Sequence, residues 1–467
     1  MTVLQDGGAY PAMGSVLPFM TRIMASGVYA IPKVEFNATA VVTNTTPTVA
    51  YRGAGRPEAT AAIERAMDLF AAEIGMDPVE VRRRNLVPAD AFPYETATGA
   101  TYDVGDYERC LDLVLEAAGY DELRSEQARR RQAGEVRQLG IGVSVYVEIT
   151  AGPSASGEHA RVEVGTDGTA TVYTGSSPHG QGLHTAFAML ASDELGIPIQ
   201  QIRVVHGDTD LVERGDGTMG SRSLQLGGSA VHQASIELVD RARRLAAELL
   251  EANPDDIVLD RAGGRFHVLG TPSAARTWAE LAQAAPESDP LAVVTDFKAS
   301  SPTFPFGAHL AVVEVDTETG RVELVRFVAV DDAGRILNPL LAEGQRHGGI
   351  AQGVAQALLE EVRYDAGGNP ITANLADYAA ISAAELPSFE LIPMETPTPA
   401  NPLGAKGIGE SGTIGSTPAV QSAVVDALAH LGVRHIDIPC TPERVWRAIR
   451  AAPGPRVGGV GGAGGAT

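Results

Sequence analysis

After Pro57, apolar side chains recur at Ile63, Met67, Phe70 and Ile74, the i, i+4, i+7 and i+11 positions of one helical face. The pattern predicts an amphipathic helix with those four residues turned inward. Asp77-Pro78-Val79-Glu80 follows, offering an N-cap, a proline at the first helical position and a glutamate three residues after the cap, the signature of a capping box opening a short second helix. Its Arg82 to Arg84 run reads as a solvated basic face. The charged stretch from Asp121 to Arg137 reads as an exposed helix or linker and marks the first candidate boundary. Upstream, residues Val3 to Val42 mix β-prone pieces with Gly-Pro turns, and VLQDGGAYP reads as a strand tail entering a turn.

Beyond that boundary the period shortens. IGVSVYVEI, Ile141 to Ile149, is a β-rich run, and in RVEVGTDGTATVYTG the residues Val162, Val164, Ala170 and Val172 alternate with polar neighbours on either side of Asp167-Gly168, which predicts a hairpin. Helical spacing returns at Leu183, Phe187 and Leu190 and places Gln181 and Gly182 at a helix N-terminus. HLAVVEVDTETGRVELVRFVAV repeats the hairpin, and EGQRHGGIAQGVAQALLEE repeats the glutamine-then-helix order at Gly344-Gln345. The final stretch PGPRVGGVGGAGGAT, 453–467, has nothing to bury and is expected to be a disordered tail.

Length and composition narrow the class. A chain of 467 residues exceeds one ordinary core, so two or more packed units are expected. No apolar run approaches the roughly 20 residues that cross a bilayer, which argues against membrane insertion. The N-terminus lacks a basic leader and carries Asp6 where a signal peptide is apolar, so a cytoplasmic location is expected. A net charge of −22 opposes nucleic-acid binding. The two cysteines, Cys110 and Cys440, cannot ligate an iron–sulfur cluster or a Cys-rich zinc site by themselves.

Candidate chemistry lies in four Gly-rich polar stretches: SPHGQGLHT (177–185), GDGTMGSRS (215–223), EGQRHGGIAQG (343–353) and GAKGIGESGT (404–413). Read as loops, they offer backbone N–H groups unobstructed by Cβ atoms beside side chains that bond phosphate or heterocycle edges, the wall of a large polar ligand. None matches the Walker P-loop or a convincing Rossmann glycine motif. Taken singly, Glu410 reads as a solvated turn residue, Arg52 as a surface or capping cation, and His179 and His184 as ordinary loop residues.

The joint, ordered set AYRGAGRPEA, HGQGLHT, GTMGSRS, DDAGRILNPLLAEGQRHGGIAQGVAQALLEE and GAKGIGESG closely resembles the molybdenum-binding large subunit of the xanthine dehydrogenase, aldehyde oxidase and aerobic carbon monoxide dehydrogenase family, from Val3 to about Ala451. The resemblance implies an α+β fold of two mixed α/β molybdopterin-binding domains with the cofactor at their interface. In this chain, 1–136 would be the remainder of the first domain and 137–452 the second. It implies molybdopterin cytosine dinucleotide, or the mononucleotide form, as cofactor, its metal held by the pterin and not by protein side chains.

By that resemblance Gly180, Gln181 and Gly182 lie against pterin and pyrophosphate, and Thr218, Gly220, Ser221, Arg222 and Ser223 form the next contacting loop. Gln345 and the loop of Lys406, Gly407, Gly409 and Ser411 close over the pterin. Glu410 is the general base beside the metal, and Arg52 orients or polarises a small-molecule substrate. Partner subunits carrying FAD and [2Fe-2S] clusters are expected, assembled as a dimer of heterotrimers. Two departures matter. Carbon monoxide oxidisers of the family carry a cysteine where this chain has Gly53, which points to aldehydes or N-heteroaromatic compounds. Family subunits also begin well upstream, so a preceding segment or a separate chain is expected to supply the N-terminal half; the competing expectation is a non-catalytic cofactor-binding scaffold.

Overall fold

The computed structural model describes residues 1–11, 13–152 and 157–453. The expected tail lies outside these from residue 454 onward. Its centre is a four-stranded sheet in the order Phe389–Met394, Val322–Asp332, Phe306–Asp316, Arg137–Val147. The two expected runs form here: Ala308 pairs with Val330 on one side and Val145 on the other, both antiparallel. Both faces of the sheet are covered, so the central strands are apolar on alternate and intervening positions alike.

One face carries Phe306, Ala308, Leu310, Val328 and Val330 and packs against segments drawn from residues 23–118. The opposite face, with Ala311, Val313, Phe327 and Ala329, is covered by the helices Pro339–Leu358 and Ser411–Leu428. The register shift against Val312/Val313 leaves Val325 as an extra residue, and this carries Leu324 back to the same face as Phe327. Apolar residues from 1–136 share a continuous core with one side of a sheet whose strands all lie beyond residue 136.

A second unit enters between two adjacent strands of that sheet. The hairpin Glu158–Val164 and Ala170–Thr174 forms as expected, with Val162 opposite Val172, inside the four-stranded order Ala292–Phe297, Glu158–Val164, Ala170–Thr174, Ile202–Val205. The helices Leu183–Leu195 and Ser229–Leu249 cover it and form a separate apolar core around Phe187, Leu238 and Trp278. No helix of the described residues is long and apolar enough to cross a membrane.

Four local expectations are corrected. The helix Arg56–Ile74 forms, but Phe70 and Ile74 are exposed, and the inward face is Ala59, Thr60, Glu64, Met67 and Ala71. Glu64 can be buried because it accepts from Arg82 Nε at 2.9 Å, from the Val145 N–H at 3.0 Å and from the Tyr29 hydroxyl. Arg82 is consequently a fully buried ion-pair partner and not part of a solvated basic face. Its helix, Pro78–Asn85, is capped by Asp77 alone: the Asp77 carboxylate accepts from Val79 and Glu80, while Glu80 turns to Arg84. Finally, 343–353 is not a loop. The helix Pro339–Leu358 starts at Asn338, whose side chain accepts from the Leu341 N–H, so Gly344-Gln345 lies in its second turn.

Gly349 and Gly353 of that helix serve packing. A Cβ on Gly353 would lie 1.9 Å from Ser416 Oγ, and one on Gly412 would lie 2.8 Å from the Arg346 carbonyl oxygen, so the two helices cross at near backbone contact. On the sheet side, Gly140 and Gly142 let Ser411–Leu428 settle directly onto strand Arg137–Val147. The position of residue 410, just before this helix, is thereby fixed.

Candidate active site

A cavity of about 610 Å³ opens where the inserted unit meets the central sheet. Its polar wall is built from Gly180, Gln181, Thr218, Gly220, Ser221, Ser223, Gly407 and Gly409, and Arg52, Gln345 and Glu410 lie at the same cavity. An apolar side comes from Leu183, Met219, Leu224, Ile336, Leu337 and Leu341. Segments far apart in the chain, including three of the four Gly-rich stretches as actual loops, therefore converge.

Glu410 holds the N-cap position of Ser411–Leu428 but does not cap it with its side chain. Its carboxylate turns back instead: Oε1 accepts the Gly53 N–H at 3.1 Å, and Oε2 accepts Ser221 Oγ at 2.7 Å and faces Arg56 Nη2 at 2.9 Å. Burial acts to raise the Glu410 pKa, but Arg56, Ser221, the Gly53 N–H and a hydrogen bond from Glu148 together hold it below the ordinary carboxylate value. The same Arg56 Nη2 lies 3.0 Å from Glu148 Oε1, and Ser411 Oγ donates to Glu148 Oε2 at 3.0 Å. Glu148 is sealed from solvent, and its burial, with the Glu410 charge as the next contribution, pushes its pKa up to about 8 against the pull of Arg56. Arg56 is itself held more strongly protonated, although burial opposes this. The two shifts agree if one guanidinium serves an ionised Glu410 while Glu148 keeps its proton.

The glycines beside Glu410 have steric reasons. Gly53 has φ +108°, and a Cβ there would strike the Pro57 ring at 2.3 Å, so the N–H that meets Glu410 can be presented only without a side chain. A Cβ on Gly407 would lie 2.5 Å from both Cβ and the carbonyl oxygen of Ser221, whose own φ is +55°. Loop 407–409 and the Ser221 loop are thus pressed together, which brings the hydroxyl to the carboxylate.

Other expected residues take different positions. Arg52 reaches the cavity, but its donors are engaged: Nε to the Gly409 carbonyl at 2.5 Å, Nη1 to Gln352 Oε1 at 2.9 Å, Nη2 to the Gln345 carbonyl and Oε1 at 3.0 and 3.2 Å. It clamps the peptide next to Glu410 and is not a free cation. Lys406 contributes its backbone only; Nζ is buried on Asp332 at 2.8 Å and over the Phe306 ring. Gly182, Arg222 and Ser411 do not line the cavity. Gly182 backs onto Leu341, Ser411 serves Glu148, and Arg222 runs beneath its loop to the Gly157 carbonyl and toward Glu158 and Asp216. Gln181 folds onto its own loop, accepting from the His179 N–H. Arg56 and Glu148 escape the sequence reading, though a glutamate set within the apolar run IGVSVYVEI is the available signal.

The donor set suits a large anionic heterocycle. Helix Leu183–Leu195 begins at the cavity edge after Gly182 with no side-chain cap, leaving first-turn N–H groups open. Gly180 and Gly220 have positive φ and open space where a Cβ would stand, a cradle of bare backbone. Together these make a cradle suited to a bulky, phosphate-bearing polar ligand, formed between two units with an acidic side chain at its wall.

Residues 113–387 and 1–86 each match the molybdopterin cofactor-binding domain family. The chain is 38% identical to the carbon monoxide dehydrogenase large chain of Hydrogenophaga pseudoflava, over 96% of this chain and 58% of that one. It is also 38% identical to the 6-hydroxypseudooxynicotine dehydrogenase complex subunit gamma of Paenarthrobacter nicotinovorans, over 95% and 57%. Its fold superimposes on quinoline 2-oxidoreductase from Pseudomonas putida 86 with a TM-score of 0.89 and 36% identity, covering 96% of this chain and 59% of the other. The chain belongs to the molybdenum hydroxylase large-subunit family, and it spans less than two thirds of the length of these relatives.

Proposed function

We propose that this chain is the molybdopterin-binding catalytic part of a molybdenum hydroxylase that oxidises an aldehyde or N-heteroaromatic carbon with water-derived oxygen, Glu410 acting as general base. The observation that carries the reading is Glu410 itself: a carboxylate at the cavity wall, kept ionised by Arg56, Ser221 and the Gly53 N–H. Arg56 and Ser221 meet Oε2, the Gly53 N–H meets Oε1 and Glu148 also hydrogen-bonds the carboxylate, which as an anion keeps lone-pair capacity for a proton.

The cofactor, in its cytosine dinucleotide form, would rest on the bare backbone of Gly180, Gly220, Gly407 and Gly409 and on the hydroxyls of Thr218, Ser221 and Ser223, with Gln181 and Gln345 at its edges. When bound, it supplies a redox metal that accepts the electrons leaving the substrate. The apolar side of the cavity, Met219, Leu224, Leu337 and Leu341, suits a flat or aliphatic substrate body. Arg52 keeps the Gly409 peptide, and with it Glu410, in place.

Substrate class is supported by the relatives named for pseudooxynicotine and quinoline chemistry. It is also supported by the absence of a thiol at the site: Gly53 stands where the resemblance places a cysteine, and Cys110 and Cys440 are both buried in apolar cores. Electrons then pass to partner subunits carrying [2Fe-2S] clusters and FAD, in a dimer of heterotrimers located in the cytoplasm.

The test is Glu410→Gln in the complex with its partner subunits. Molybdenum content should be retained while turnover of aldehyde and N-heteroaromatic substrates, followed with an artificial electron acceptor, falls by about 10²- to 10⁴-fold. Turnover within a few-fold of wild type removes the base assignment.

A further inference from the structure

The Glu410 site contains a second carboxyl that the proposed reaction does not use. Glu148 lies at the end of strand Arg137–Val147, fully enclosed, with its backbone N–H on the Pro305 carbonyl at 2.9 Å. Its two oxygens face Arg56 and Ser411, and Ser411 is the residue immediately after Glu410. Arg56 Nη2 stands 3.0 Å from one carboxyl and 2.9 Å from the other, so a single guanidinium nitrogen is divided between two acids. The charged and titratable groups facing Glu148 are Arg56 and the more distant Arg52 on one side, Glu410 on another, and Tyr146 on its own strand, whose hydroxyl is taken by Asp331.

Two ionised carboxylates would share the one guanidinium in direct contact with both, Arg52 being more distant, and Glu148 has no solvent to offset its charge. The lower-energy arrangement keeps one proton in the pair. Exposure decides which acid holds it. Glu410 borders the cavity and has three donors besides Glu148, while Glu148 has no opening to solvent.

We propose that Glu148 is a positioning residue for the base assigned above: it stores one proton beside Glu410 and, through Arg56 and Ser411, keeps the guanidinium committed to the Glu410 carboxylate. The inference rests on the reading of Glu410 as base. Loss of the Glu148 proton creates a second anion that cannot be solvated. Arg56 then turns toward it, and Glu410 loses the partner that orients it. The pair behaves as one titrating unit, with its upper step near the value of about 8 toward which burial pushes Glu148.

The experiment compares wild type, Glu148→Gln and Glu148→Asp in the holo complex, with molybdenum content measured for each. In wild type kcat/KM should fall through a transition near pH 8. Glu148→Gln cannot lose a proton there, so its ratio of kcat/KM at pH 9 to that at pH 7 should exceed the wild-type ratio by about tenfold. Isotope-edited infrared difference spectra of the same samples should show a protonated carboxyl that titrates near pH 8 in wild type, is absent from Glu148→Gln and returns, shifted, in Glu148→Asp. Superimposable pH profiles, or no titrating carboxyl lost on substitution, would overturn the proposal. So would a Glu148→Gln enzyme that loads molybdenum yet is inactive at every pH, since the amide should still serve Arg56. The infrared signal is read without turnover: if it behaves as expected while Glu410→Gln stays active, the base assignment fails and the proton-sharing pair stands.

Discussion

Replacing Gly142 by alanine tests whether backbone-to-backbone seating of one helix holds the site together. A Cβ at Gly142 would stand 2.0 Å from the Ala419 carbonyl oxygen and 2.3 Å from the Ala423 nitrogen. Both obstacles are main chain of Ser411–Leu428, so no side chain can rotate away; the helix must retreat by on the order of 1 Å to restore van der Waals separation. Overpacking typically costs 1–3 kcal/mol, and an immovable obstacle places this substitution near the top, at about 3 kcal/mol. Gly344→Ala is the matched control. Its Cβ meets nothing within 4 Å, and it lies within helix Pro339–Leu358 with ordinary backbone angles, so the same methyl should stabilise by about 0.5–1 kcal/mol. Urea denaturation followed by far-UV circular dichroism reads both. Because Glu410 precedes the displaced helix, Gly142→Ala should also weaken turnover of the complex. A Gly142→Ala protein within about 0.5 kcal/mol of wild type, the range of surface substitutions, would refute the reasoning.

Two further outcomes concern buried charge. Lys406→Met leaves Asp332 buried without its cation and should cost about 3–5 kcal/mol. Burial already raises the Asp332 pKa, so the orphaned carboxyl takes a proton more readily and the deficit measured by denaturation should shrink as pH falls. Asp331 behaves oppositely. Burial acts to raise its pKa, but His309 and Arg346, with the Tyr146 hydroxyl, hold it well below the ordinary value. Its contribution is therefore complete above the unfolded carboxylate pKa and is lost as pH drops through the folded one. Asp331→Asn should lower stability at pH 7 and flatten the acid limb of a stability–pH curve, and an unchanged acid limb would count against that assignment.

How far the chain could be read depended on whether a residue's partner was local. Both hairpins and the N-terminus of Leu183–Leu195 were legible because alternation, Asp-Gly turn chemistry and helical spacing act over a few residues. The inward face of Arg56–Ile74 was not. It is set by Glu64 meeting Arg82, Tyr29 and Val145, a cluster that no periodicity encodes. Likewise 343–353 looked like a ligand loop because its glycines were visible and the helix they pack against was not. At the site, Glu410 and Ser221 were found through their motifs, but Arg56 and Glu148 gain meaning only from one guanidinium lying between two acids on separate elements.

The inserted unit leaves strand Arg137–Val147 and returns to its neighbour Phe306–Asp316, and just beyond those ends Thr150 and Thr303 bond through main chain and hydroxyls, with Gln225 bridging both. Its two connections therefore lie side by side, cross-linked by one buried amide side chain. Ser221 belongs to the inserted unit and Glu410 to the body on which that unit is seated, so the acid receives the hydroxyl only while the two are held in this seating.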